Sequence, residues 1–258
     1  MLHALTEPDL LKERSRSQIV EELGEQLRQL RQTRRIQGPG RISSGSPALD
    51  RLLPEGGLAR GTLAEWFGSG PGSGATMLAL LAAREACRRG GPLVVIDRRR
   101  MFYPPAAIAW GIDPQSLIIL RPAHERDEQW ALDQVLRSSH VAAVLCWPAR
   151  LDAHAFRRMQ LAVETSGGLG LLVRPAAERT APSWAEVRWL VSPHPSQGAW
   201  RLRVELLRCR GGQSRSALEL EVDEQNVSEV AGVIHEANPV HLAPRLAAAT
   251  IAQQSASA

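Results

Sequence analysis

The sequence predicts an α/β fold: a mostly parallel central sheet, an antiparallel C-terminal hairpin and an N-terminal helix. Three observations carry this expectation. Residues 62–89 run from a short apolar stretch through a loop of Gly, Ser and Pro into an apolar-periodic helix. The apolar runs Leu93 to Ile96, Leu117 to Leu120, Val141 to Cys146 and Leu169 to Val173 alternate with helical stretches. Runs this uniformly apolar suit strands covered on both faces, and the spacing leaves room for crossover helices. Finally, Leu202, Val204 and Leu206 alternate with Arg201, Arg203 and Glu205, and Leu218, Leu220 and Val222 alternate with Glu219 and Glu221. That is the pattern of a half-exposed antiparallel hairpin whose arginines and glutamates pair across strands.

With 258 residues, 44% hydrophobic and 22% charged, the chain is long enough for one large domain and an extension. No stretch approaches about 18 uninterrupted apolar residues, which excludes a membrane-spanning helix. The opening MLHALTEPDLLKERSRS carries acidic residues and lacks a basic segment followed by an apolar run, so a secretory signal is not expected and the cytoplasm is the expected location. Cys87, Cys146 and Cys209 are far apart, and no Cys-x-x-Cys or His-x-x-x-His spacing offers a metal site. They read as packing residues. The formal charge of +4 permits contact with nucleic acid or an acidic protein without requiring it.

Taken in order, Ser17 to Gln37 is predicted helical, with Val20, Leu23, Leu27 and Leu30 forming a narrow apolar seam. Glu21, Glu22 and Glu25 precede Arg31, Arg34 and Arg35, which is the favourable sense for the helix dipole. The seam suits a partner surface, or equally a fold back onto the chain's own core. Gly38-Pro39-Gly40 serves as a linker, giving expected divisions of 1–38 for the helical extension, 39–225 for the core and 226–258 for a tail. Ser46 is an expected N-cap for the turn holding Leu49, Leu52 and Leu53. Helices are expected over Ala106 to Trp110, Asp127 to Arg137 and Ala153 to Glu164, and strands over Val187 to Val191, Trp200 to Leu207 and Ala217 to Val222. After Asn226 a short helix to Ala237 is expected, and the Ala-, Ser- and Gln-rich end beyond Pro244 reads as disordered.

The loop GSGPGSGAT has the layout of a P-loop, in which glycines let backbone N–H groups and a helix N-terminus wrap a polyphosphate. Gly70, Gly72, Ser73, Gly74 and Thr76 are the candidate phosphate-contacting residues. The pattern wants a lysine before the closing Ser or Thr, and here that position is Ala75. The only lysine of the chain is Lys12, and the loop runs one residue long: five positions before Gly74 stands Ser69, next to Gly68. These departures predict a P-loop fold without ATPase activity.

From Ile42 to about Val222 the chain resembles the RecA core. The resemblance rests on ISSGSPALDRLLPEGGLARGTLAEWFG, leading into the loop, and on LVVIDRRRMFYPPAAIAWGID, similar to RecA's second strand and the turn after it. It implies that a water-activating glutamate belongs where Arg99 stands, in Ile96-Asp97-Arg98-Arg99, and that the metal-associated acid of the strand Val141 to Cys146 is replaced by Trp147 and Pro148. Lysine, metal acid and water-orienting group act together in phosphoryl transfer, so their joint replacement implies no turnover. The DNA-contacting segments of RecA correspond to the shorter PARLDAHAFRR and RPAAERTAPSW, where Arg157, Arg158, Arg174 and Arg179 are candidate phosphate contacts or, more simply, a solvated helix face and loop.

A short RecA-like chain with a worn loop is similar to the ImuA family, accessory proteins of bacterial damage-induced mutagenesis, some of them labelled SulA-like. Many members keep a basic residue at the position of Ala75. The resemblance implies a non-catalytic adaptor acting with RecA and with ImuB, an inactive Y-family polymerase relative, and indirectly with an error-prone C-family polymerase. It implies no cofactor beyond weak ATP binding, with DNA contact weak. Two other readings stand beside it: a nucleotide-binding RecA-like ATPase in which one of Arg98 to Arg100 replaces the lysine, and a SulA-like inhibitor of cell division.

Overall fold

In the computed structural model the described residues are 40–70, 72–148, 151–196, 198–211, 216–223 and 227–236. The chain divides into two compact units, residues 1–40 and 41–258. Of the first, only Gly40 is described, so the seam of Val20, Leu23, Leu27 and Leu30 lies outside the described residues, as does the end beyond Pro244.

The second unit begins with a short helix α1 (Pro47–Leu52) and alternates strands and helices: β1 (Leu63–Gly68), α2 (Ala75–Cys87), β2 (Leu93–Ile96), α3 (Pro104–Ala109), β3 (Leu117–Leu120), α4 (Glu125–Arg137), β4 (Ala143–Cys146), α5 (Ala153–Ser166) and β5 (Leu169–Pro175). Four strands close it: β6 (Val187–His194), β7 (Trp200–Cys209), β8 (Ser216–Val222) and β9 (Val227–Glu236). All join one sheet in the order β3-β2-β4-β5-β1-β6-β7-β8-β9. The pairings from β3 to β6 are parallel and those from β6 to β9 antiparallel. The expected parallel sheet and closing hairpin are both present.

The uniformly apolar strands divide their residues between two cores because successive side chains point to opposite faces. Leu93, Val95, Ala143 and Leu145 meet α2 on one face. Val94, Ile96, Val144 and Cys146 meet α4 and α5 on the other. Trp66 of β1 and Trp189 of β6 stack on the α2 face with ring centroids 5.7 Å apart and planes 20° from parallel. Burial raises the Cys146 thiol and pushes that of Cys87 up to about 11. Both thiols stay protonated at neutral pH, as packing residues do.

In the hairpin, Leu202, Val204 and Leu206 are buried with Leu218, Leu220 and Val222. Arg201 pairs across the strands with Glu221 at 2.9 Å. Arg203 stands opposite Glu219 in the register but turns to Glu205 of its own strand at 3.1 Å, while Glu219 faces His194 Nε2 at 3.4 Å.

Two local expectations need correction. Residues 227–236 form strand β9 rather than a helix, carrying the sheet past the expected boundary at 225. The outer edge of β8 presents N–H and C=O groups, and the backbone of residues 227–229 and 234–236 pairs with it antiparallel. Ser46 holds the N-cap position of α1 with extended backbone, but its hydroxyl makes no cap bond and is buried without a partner. The Asp50 carboxylate instead folds over the turn, accepting from Ser44 N–H at 2.7 Å and from Ser43 Oγ at 2.5 Å.

Candidate functional site

The loop begins where β1 ends, between its parallel neighbours β5 and β6. A side chain at Gly68 would place its Cβ 2.5 Å from Ser73 Oγ, so a larger residue at the strand end would force that hydroxyl to swing away. Within the loop, Ser69 N–H donates to Val191 O at 3.3 Å and Ser73 N–H to Gly70 O at 3.2 Å. Gly74 is the N-cap of α2 with φ 85°, and a Cβ on it would lie 2.4 Å from Leu202 Cδ1. The first intrahelical bond runs from Leu78 N–H to Gly74 O, so the N–H groups of Ala75, Thr76 and Met77 are those that a helix start leaves for an outside acceptor. The structure thus brings Gly70, Gly72, Ser73, Gly74 and Thr76 together in one loop and helix start.

Gly74→Ala tests how tightly this start is held. Strain at positive φ adds to the Leu202 clash, and the expected cost is about 2–3 kcal/mol in urea unfolding. Gly72→Ala has φ 73° and nothing within 4 Å of its Cβ, and should cost only about 1–2 kcal/mol.

The hydroxyl of Thr76 accepts a long hydrogen bond, 3.4 Å, from the indole Nε1 of Trp147, the first residue after β4. Trp147 leans on Phe102, with ring centroids 6.1 Å apart and planes tilted by 43°. Asp97 sets this pair in place. Its carboxylate, 1% exposed, accepts from Met101 N–H at 2.8 Å and Phe102 N–H at 3.2 Å, fixing the turn that delivers Phe102. Arg98 leaves on the other face of the sheet, where Nε meets Glu128 of α4 at 2.7 Å. Arg99 and Arg100 are exposed.

Magnesium triphosphate does not fit these residues. No cation stands at Ala75, which is buried, and one of the two lone pairs of the hydroxyl that would face a metal is turned to an indole N–H. The strand end that would carry an acid carries Trp147. Among the described residues no cluster of three or more His, Cys, Asp or Glu side chains is placed to hold a metal ion.

Of the arginines proposed for phosphate contact, Arg158 and Arg179 are exposed, and Arg157 lies over the Trp184 ring at 4.7 Å. Arg174 is neither solvated nor available. It is 4% exposed and ion-paired with Glu65 and Glu178. Glu65, fully buried in β1, also accepts from Arg188 Nε and Ser183 Oγ, each at 2.7 Å. Sequence reasoning passed over this cluster, although a glutamate inside the apolar run LAEWFG was a signal that a buried cation had to meet it.

The sequence model of the RecA N-terminal domain matches residues 17–155. Protein ImuA of Caulobacter vibrioides is 32% identical over 194 residues, covering 67% of this chain and 80% of that protein. The chain belongs to the ImuA family. RecA of Chlorobium limicola is 36% identical over 104 residues, 40% of this ImuA-family chain and 29% of the RecA. The crystal structure of the RadB recombinase superposes with a TM-score of 0.57 at 19% identity, covering 73% of this chain and 99% of that one. The fold is therefore RecA-like, while the loop of the ImuA-family chain carries Ala75 and its β4 end carries Trp147. Among the described residues no helix is long and apolar enough to cross a membrane.

Proposed function

We propose that this chain is a non-catalytic RecA-like adaptor of the DNA-damage response, promoting or regulating translesion DNA synthesis in the cytoplasm by contacting RecA and an ImuB-type polymerase homologue. Family membership supports the setting. The observation that carries the non-catalytic part is the indole of Trp147 on the Thr76 hydroxyl, beside a loop without its lysine. A RecA-like sheet that keeps its shape without the groups for phosphoryl transfer acts through surfaces that RecA and its partners recognise.

The apolar seam of Val20, Leu23, Leu27 and Leu30 is the proposed partner-binding element. Its leucine spacing matches a helix that docks on another protein's groove. Purified full-length chain should capture RecA or the ImuB-type protein, show no ATP hydrolysis with or without single-stranded DNA, and bind DNA weakly. Removing residues 1–38 should abolish capture while the remaining core still melts cooperatively. Unchanged capture by the truncated chain sinks the role of the seam, and robust ATP turnover sinks the non-catalytic reading.

A further inference from the structure

We infer that Trp147, seated on Phe102, is itself the barrier to magnesium nucleotide, so that restoring the loop lysine at position 75 does not restore a metal-nucleotide site. The inference rests on the proposal that the loop is outside nucleotide chemistry, and names the side chain that keeps it there.

The chemistry of an indole explains the effect. Its N–H only donates, with no lone pair in the ring plane for a metal or a metal-bound water. Of the two lone pairs on the Thr76 oxygen, one faces the positive end of the Trp147 N–H dipole at 3.4 Å, so a cation ligated on that side would have to displace the indole. A divalent cation there would meet a like partial charge where a hard cation needs oxygen ligands. The pair is also built in. Trp147 packs against the core beneath α2, and Phe102 is only 7% exposed and held by the Asp97 turn. Thr76 and Trp147 are 71 positions apart in the chain, so the contact is made only by the parallel sheet setting the end of β4 beside the start of α2.

Equilibrium titration of a fluorescent ATP analogue, with MgCl₂ or with EDTA, tests this on the full-length chain. Ala75→Lys should gain charge-driven binding that is the same in both conditions. Ala75→Lys combined with Trp147→Asp should bind about tenfold or more tighter with magnesium. Ala75→Lys with Trp147→Phe, which keeps the ring and removes the N–H, is the better-folded companion and should acquire a smaller magnesium dependence. Magnesium dependence in Ala75→Lys alone, equal to that of the double variants, overturns the inference but leaves the proposed adaptor role standing. Magnesium-dependent binding with turnover by the wild-type chain overturns the adaptor reading instead. A readout independent of the double variants is the indole N–H resonance of Trp147, assigned with Trp147→Phe. It should shift in Thr76→Val and stay fixed when magnesium ATP is added to the wild type. A resonance unmoved by Thr76→Val contradicts the contact.

Discussion

Glu65→Ala is expected to destabilise the fold by about 3–5 kcal/mol, the range for removing one partner from a buried ion cluster. The carboxylate is fully buried, and the side chains of Arg174 and Arg188 are 3% and 10% exposed. Removing it leaves Arg188, among the described residues, with the Ala181 carbonyl at 3.3 Å and the face of the Phe67 ring at 4.9 Å. Arg174 keeps Glu178, but its Nε is already buried without a partner. The cost is thus the desolvation of guanidinium groups that the strand no longer neutralises. Urea unfolding should show the loss, and the melting temperature should fall on the order of 10 °C. The informative companion replaces the three buried charges by apolar residues of similar volume, as in Glu65→Leu with Arg174→Met and Arg188→Met, and leaves the part-exposed Glu178 to solvent. That triple variant should recover most of the loss, because well-packed apolar groups replace a buried ion cluster at little net cost. A triple variant as unstable as Glu65→Ala would show that β1 depends on the geometry of the cluster and not on its charge balance.

Trp189→Ala should cost about 3–5 kcal/mol, the usual range for emptying a large aromatic site in a core that relaxes only partly. Trp189 and Trp66 are both fully buried, directly opposite each other in the parallel β1 and β6 register. Losing one ring strips the flank of the other, and a double-mutant cycle with Trp66→Ala should give a coupling of about 0.5–1.5 kcal/mol. Both indole N–H groups are buried without hydrogen-bond partners. Trp189→Phe therefore removes volume and an unsatisfied donor together, and should cost less than about 2 kcal/mol. Trp66 lies two residues before Gly68, so the same core supports the strand end from which the loop springs. A Trp189→Phe variant as unstable as Trp189→Ala would mean that the indole N–H has found a partner.

The elements of the sheet were legible where burial leaves a local mark. The runs Leu93 to Ile96 and Leu117 to Leu120 became strands with the same bounds, and the loop and helix after β1 stand where the glycines placed them. Trp200 to Leu207 and Ala217 to Val222 lie within β7 and β8, because a half-exposed strand records its inner face in every second residue. Residues 227–236 gave no such record, since an edge strand is chosen by the neighbour that needs its hydrogen bonds. Arg174 illustrates the same limit: an arginine after an apolar run reads as solvated until the register sets it opposite Phe67, on the same face of the sheet as Glu65 two residues away.

By itself the sequence determined the parallel core, the closing hairpin, the loop and its missing lysine, since each depends on residue type and spacing within a few turns of chain. Only the tertiary structure decided that the Trp147 indole donates to Thr76, that Glu65 bridges two buried arginines, and that residues after Asn226 extend the sheet. The reason is physical: periodicity reports whether a side chain is buried, whereas which distant group shares its burial is set by strand order and register. Positions 65 and 174, 109 residues apart, meet only because β1 and β5 are neighbours.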